Sequence, residues 1–157
     1  MIRCFFAILS VLLMVAGCAM LRVMVLDDPL SPEEHLKLGM AYEKKGDYEL
    51  AMREYKLAVK DIPLARLFLG NVYFLQNSYA SAEKQYRRAI RELPENPRPY
   101  NNLAWLYYMQ GIKLNEAEAL ARRAVKLAPE GEGTAYYDTL GHILRAKARE
   151  LEKRPGG

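Results

Sequence analysis

Asp138 and His142 stand four residues apart, a spacing that puts a carboxylate beside an imidazole on one face of a helix. Such a pair could move a proton, but hydrolysis or acyl transfer also needs a nucleophile, and neither Ser nor Cys accompanies them. The other histidine, His35, belongs to the opposite end of the chain's repeated region, so the two imidazoles do not meet at a metal. Cys4 and Cys18, the two cysteines, have neither a metal-ligand nor a redox spacing. Gly131-Glu132-Gly133-Thr134 is glycine-rich but lacks the preceding strand that a phosphate loop requires, and reads as a connection between helices. The residues therefore argue against an enzyme and imply neither a cofactor nor a metal. What they leave is one thiol, Cys18, and aromatic and polar side chains suited to binding.

The chain has 157 residues, 51% hydrophobic and 27% charged, which implies a globular core rather than disorder. Net charge is +4, yet no run of Lys and Arg exceeds a pair, so nucleic-acid binding is not indicated. Arg3 precedes an uncharged, apolar run over residues 4–16, the layout of a secretory signal. By length alone an uncleaved membrane helix remains open, because residues 4–21 carry no charge. Val15-Ala16-Gly17-Cys18 resembles the bacterial lipobox, an aliphatic residue and two small residues before a cysteine. That resemblance implies removal of residues 1–17 as a signal peptide and acylation of Cys18, with two or more chains giving a stable membrane anchor. Ala19, in place of the Asp that retains such lipoproteins in the inner membrane, favours the outer membrane facing the periplasm. A free secreted protein is the weaker alternative. Residues 18–30 then form the lipidated cysteine and a tether, spanning roughly 40 Å at most. Their apolar content suits a membrane surface or the folded domain better than a flexible linker.

A motif recurs through the rest of the chain. Leu38, Gly39, Tyr42, Gly46, Tyr48, Ala51, Tyr55, Ala58 and Pro63 are followed by Leu69, Gly70, Tyr73, Asn77, Tyr79, Ala82, Tyr86, Ala89 and Pro94. Leu103, Ala104, Tyr107, Gly111, Ala117, Ala121, Ala124 and Pro129 repeat it, and Leu140, Gly141 and Leu144 begin a fourth, incomplete unit. The pattern resembles the tetratricopeptide repeat. The fold expected is all-α, an α-solenoid of antiparallel helix pairs over residues 31–157. Its units run over about 32–62, 63–96 and 97–133, with a capping helix over 134–153. Gly39, Gly70, Ala104 and Gly141 would mark helix crossings where a larger side chain does not fit. Gly46, Asn77 and Gly111 suit left-handed turns. Asp47, Ser78 and Asn115 are expected to cap the second helices, with Glu118 completing a capping box.

Such stacks usually bind a peptide or protein along a concave surface made by their first helices. Repeat register assigns that groove to Leu36, Met40 and Lys44, then Leu67, Asn71 and Phe74, then Asn101, Trp105 and Tyr108, and finally Asp138, His142 and Arg145. Trp105 could be a binding anchor or could pack under a neighbouring helix. Chaperone-binding members of the family grip a terminal carboxylate with basic and amide side chains. The matching positions here are Leu36, Met40, Phe68, Arg98 and Asn102, and only Arg98 keeps the charge. An apolar or amphipathic partner segment is expected instead. The resemblance thus implies a non-enzymatic, membrane-anchored adaptor that helps to assemble a cell-envelope machine. The alternative is a structural spacer or oligomerising subunit acting through its convex face or tether.

Overall fold

The computed structural model describes residues 29–153, and the leader, Cys18 and most of the tether lie outside them. The described residues form seven helices and no strand. They are α1 (Pro32–Lys45), α2 (Tyr48–Ala58), α3 (Ala65–Leu75), α4 (Tyr79–Glu92), α5 (Pro97–Gln110), α6 (Leu114–Leu127) and α7 (Thr134–Glu152). Each first helix packs on its own second helix, and α1, α3, α5 and α7 also touch in succession, forming one layer of the stack. The second helices lie behind that layer. This is an α-solenoid of helix pairs, as the repeated motif predicts. No helix among the described residues is long and apolar enough to cross a membrane.

Small and large residues match at the crossings. A Cβ on Gly39 would stand 2.6 Å from the Tyr55 ring, and one on Gly70 would stand 2.6 Å from the Tyr86 ring. Both distances are far inside van der Waals contact, so each glycine admits the tyrosine of its partner helix. The third pair solves the same problem differently. Ala104 stands at the glycine position and Ala121 at the tyrosine position, and both are fully buried in one cluster. Gly141 departs from expectation. No second helix crosses α7 among the described residues, and a Cβ there would meet only the Arg145 side chain, at an ordinary 3.6 Å.

The turns inside the pairs are left-handed at Gly46, Asn77 and Gly111, with φ of +83°, +57° and +62°. Asp47 and Ser78 do precede α2 and α4, but their side chains make no capping hydrogen bond. Asn115 is not a cap, because α6 begins one residue earlier, at Leu114. Its N-cap position is Lys113, itself left-handed at φ +49°, whose ammonium reaches Glu83 at 3.1 Å. Glu118, expected in a capping box, instead accepts from Arg122 and from Lys147 of α7. Asn96 does cap, accepting from the Arg98 amide at 3.0 Å before Pro97 opens α5.

The core has two parts. One joins Ala51, Tyr55, Leu69 and Val72. The larger joins Leu67, Ala82, Tyr86, Leu103, Ala104, Leu106, Tyr107, Ala117, Ala121 and Ile143. Leu67 was assigned to the groove by repeat register, and its complete burial here corrects that assignment. Helix α3 contacts α5 directly, so its first turn is closed over and Leu67 becomes core.

Candidate functional site

The layer of first helices encloses an open cavity of about 580 Å³. Helix α1 contributes Glu43, and α3 contributes Asn71, Phe74 and Leu75. The Tyr86 hydroxyl end enters from α4, and α5 supplies Asn101, Asn102 and Trp105. Ala135, Asp138, Thr139 and His142 of α7 close the far end.

Its floor is a hydrogen-bonded amide and phenol cluster. Asn71 Oδ1 accepts from the Tyr86 hydroxyl at 3.0 Å and from Asn102 Nδ2 at 2.8 Å. Two donors on one oxygen fix the orientation of the Asn71 amide. Burial, reinforced by the Glu43 charge and only partly offset by Asn102, holds the Tyr86 phenol well above its usual pKa range, so it remains a neutral donor. Glu43 Oε2 accepts from the Tyr55 hydroxyl at 2.5 Å. Asn101 Oδ1 is buried at the cavity wall without a hydrogen-bond partner. That is an acceptor left over, which costs free energy unless something donates to it.

The aromatic wall is a three-ring cluster. Trp105 and Tyr108 lie 5.1 Å apart, and His142 meets Trp105 edge-on at 5.7 Å and Tyr108 at 5.6 Å. Trp105 is half-buried, packed sideways on α7 rather than under a helix, and it still lines the cavity. Asp138 and His142 both face the cavity, but the adjacent hydroxyl, Thr139, donates to the Ala135 carbonyl at 3.1 Å within its own helix.

Of the residues that repeat register assigned to the groove, Asn71, Phe74, Asn101, Trp105, Asp138 and His142 come together at the cavity, and Tyr108 joins through its rings. The others do not line it. Leu36 is half-buried against the cluster around Tyr55, and Met40 and Lys44 are exposed on α1. Arg98 lies over the Phe68 ring at 5.4 Å, and Arg145 is exposed beside Gly141. Sequence reasoning missed Glu43, Leu75, Tyr86, Ala135 and Thr139, and named Asn102 only as a position matching the carboxylate grip. Tyr86 was hidden by its second role, since its ring packs on Gly70 while its hydroxyl reaches the floor.

A second polar cluster lies where α4 meets the α5–α6 turn. Glu83 accepts from Tyr107 at 2.6 Å, Arg87 at 2.9 Å and Lys113 at 3.1 Å. Arg87 also donates to Glu116 at 2.7 Å. Burial would raise the Glu83 pKa, but those donors outweigh it and hold it at about 2. A third set is more deeply buried, with Glu54 accepting from Arg53 and lying 2.7 Å from the His35 ring.

Stacked helix pairs with a concave, partly apolar cavity define a helical-repeat scaffold. The repeats are tetratricopeptide repeats. Family models described as TPR repeat or tetratricopeptide repeat match residues 35–60, 70–111 and 100–128. No curated protein sequence matches at a significant level. Solved structures share the fold at low identity. The first TPR of Spaghetti (RPAP3), bound to the HSP90 peptide SRMEEVD, superposes with a TM-score of 0.69 and 22% identity, over 77% of this chain and 96% of that one. The Sgt2 TPR domain from Aspergillus fumigatus gives 0.72 and 13%, over 80% and 85%. The TPR2B domain of yeast Sti1, in complex with an Hsp70 peptide, gives 0.67 and 18%, over 75% and 97%.

Proposed function

We propose that this chain is a non-enzymatic adaptor, held to the bacterial envelope through a lipidated Cys18, that binds a peptide or protein segment in its concave groove. The observation that carries the groove is the cavity of about 580 Å³, walled by Phe74 and Trp105 and floored by the Asn71–Tyr86–Asn102 cluster. Structural neighbours bound to an HSP90 peptide or in an Hsp70 complex support a peptide as the kind of ligand. The Val15-Ala16-Gly17-Cys18 motif supports the anchor, and Ala19 supports the outer membrane facing the periplasm. At that address an adaptor would help to assemble an envelope machine.

Two experiments test the two halves. Envelope crosslinking and pulldown should lose partners when Trp105→Ala is combined with Tyr108→Ala; an unchanged partner set would reject the groove and favour the spacer reading. Intact-mass measurement of the mature chain should find a lipidated Cys18 at its N-terminus, and Cys18→Ala should abolish that modification. Any other mature N-terminus would reject the anchor.

A further inference from the structure

We infer that the groove takes a partner segment presenting a cationic side chain, Arg or Lys, and that it selects against acidic segments. This rests on the groove being the binding site proposed above. The chain as a whole is basic, at +4, yet the formally charged residues lining the cavity are Glu43 and Asp138, with no Lys or Arg among the lining. Part of the cavity's unused hydrogen-bonding capacity has the same sign. Asn101 Oδ1 is buried and unpartnered, and carboxylates accept only. The Tyr86 hydroxyl and one Asn102 amide hydrogen are already committed to Asn71. A ligand that satisfies the Asn101 oxygen and the two carboxylates must donate, and an ammonium or guanidinium brings several donors with a compensating charge.

The aromatic wall fits the same ligand. Trp105 and Phe74 line the cavity, and a cation over an aromatic face is attracted by the ring quadrupole. Trp105 also keeps its place without a ligand, because Tyr108 and His142 brace it. The arrangement is opposite in sign to a basic grip on a terminal carboxylate. Of the positions matching such a grip, Arg98 alone is charged, and it lies over Phe68, outside the cavity.

The test uses phage-displayed random dodecapeptides selected on the detergent-solubilised full chain, followed by fluorescence anisotropy with selected peptides. Selected sequences should be enriched in Arg and Lys over Asp and Glu, and SRMEEVD should compete poorly. Glu43→Gln with Asp138→Asn should weaken a selected peptide roughly tenfold, the sum of two part-exposed ion pairs. Gln retains an acceptor for Tyr55, and Asp138 is exposed, so Asp138→Lys alone supplies a second variant that keeps the fold and should reverse the preference. Selected peptides that lose binding with Trp105→Ala but show no basic enrichment would overturn this inference and leave the groove intact. Peptides that bind Trp105→Ala as tightly as wild type would reject the groove itself.

Discussion

Helix α5 presents two faces built from similar residues to opposite ends. Toward α4 and α6 it buries Leu103, Leu106 and Tyr107, and the Tyr107 hydroxyl joins Glu83, Arg87 and Lys113 in a cluster where the carboxylate accepts from three donors. Toward the concave side it presents Asn101, Asn102 and Trp105, where the Asn101 oxygen is left without a donor. Both faces carry aromatic and polar groups, so composition does not separate them. Completion does. A polar cluster whose groups are satisfied within the fold joins helices, whereas one with acceptors left over at a cavity has capacity for a ligand.

That contrast is broken most directly at Tyr107. Tyr107→Ala should cost about 3–5 kcal/mol in urea-induced unfolding, because it empties a fully buried ring position and withdraws a donor from Glu83. Tyr107→Phe should cost less, about 1–2 kcal/mol, since Arg87 and Lys113 still hold the carboxylate. A loss below 1 kcal/mol for Tyr107→Ala would remove the distinction between the faces.

The next effect is on acid stability. The Glu83 pKa is held at about 2, below the ordinary 4.5, so the charged form is favoured by folding. Its contribution is present in full above pH 4.5 and is lost as pH falls from 4.5 toward 2, on the order of 3 kcal/mol in all. Glu54 is also lowered, because His35 and Arg53 outweigh the burial that would raise it, and Glu118 is lowered by Lys147 and Arg122. Their losses fall in the same acid range. Urea midpoints measured between pH 7 and pH 3 should therefore decline on the acid side, and Glu83→Gln should flatten the decline. An unaltered slope in that variant would show that the cluster does not stabilise the fold.

The repeat was legible because its signals are local. Spacing of Gly39, Tyr55, Gly70 and Tyr86 reports helix crossings through sterics alone, and Gly46, Asn77 and Gly111 report turns through backbone conformation. Register also picked out several residues that line the cavity, including Asn71, Trp105 and His142. What register does not contain is how closely neighbouring units approach. Leu67 sits one turn before Asn71 on the same stripe, yet α5 closes over it. Glu43 was missed, and Asn102 was read only as a grip position, because their roles come from residues elsewhere in the chain, Tyr55 and Asn71. Gly141 shows the converse. A repeat residue persists at a crossing position where no second helix follows among the described residues.

The smallest effect sharpens the comparison from the groove side. Asn71 accepts from both Tyr86 and Asn102, so Asn71→Ala leaves two donors without their acceptor. In a closed interior that would be severe, but the Asn71 cluster borders an open cavity and water can reach it. Asn71→Ala should therefore cost only about 1 kcal/mol, the net worth of an ordinary hydrogen bond. Adding Asn102→Ala should cost little more, since its partner is already gone, so in a double-mutant cycle the double loss should fall short of the sum of the two single losses. Two full, additive losses would mean that the floor is closed from solvent and belongs with the structural clusters. Coupled, modest losses are what the ligand-binding floor we propose requires, because its polar groups must tolerate water before a ligand arrives.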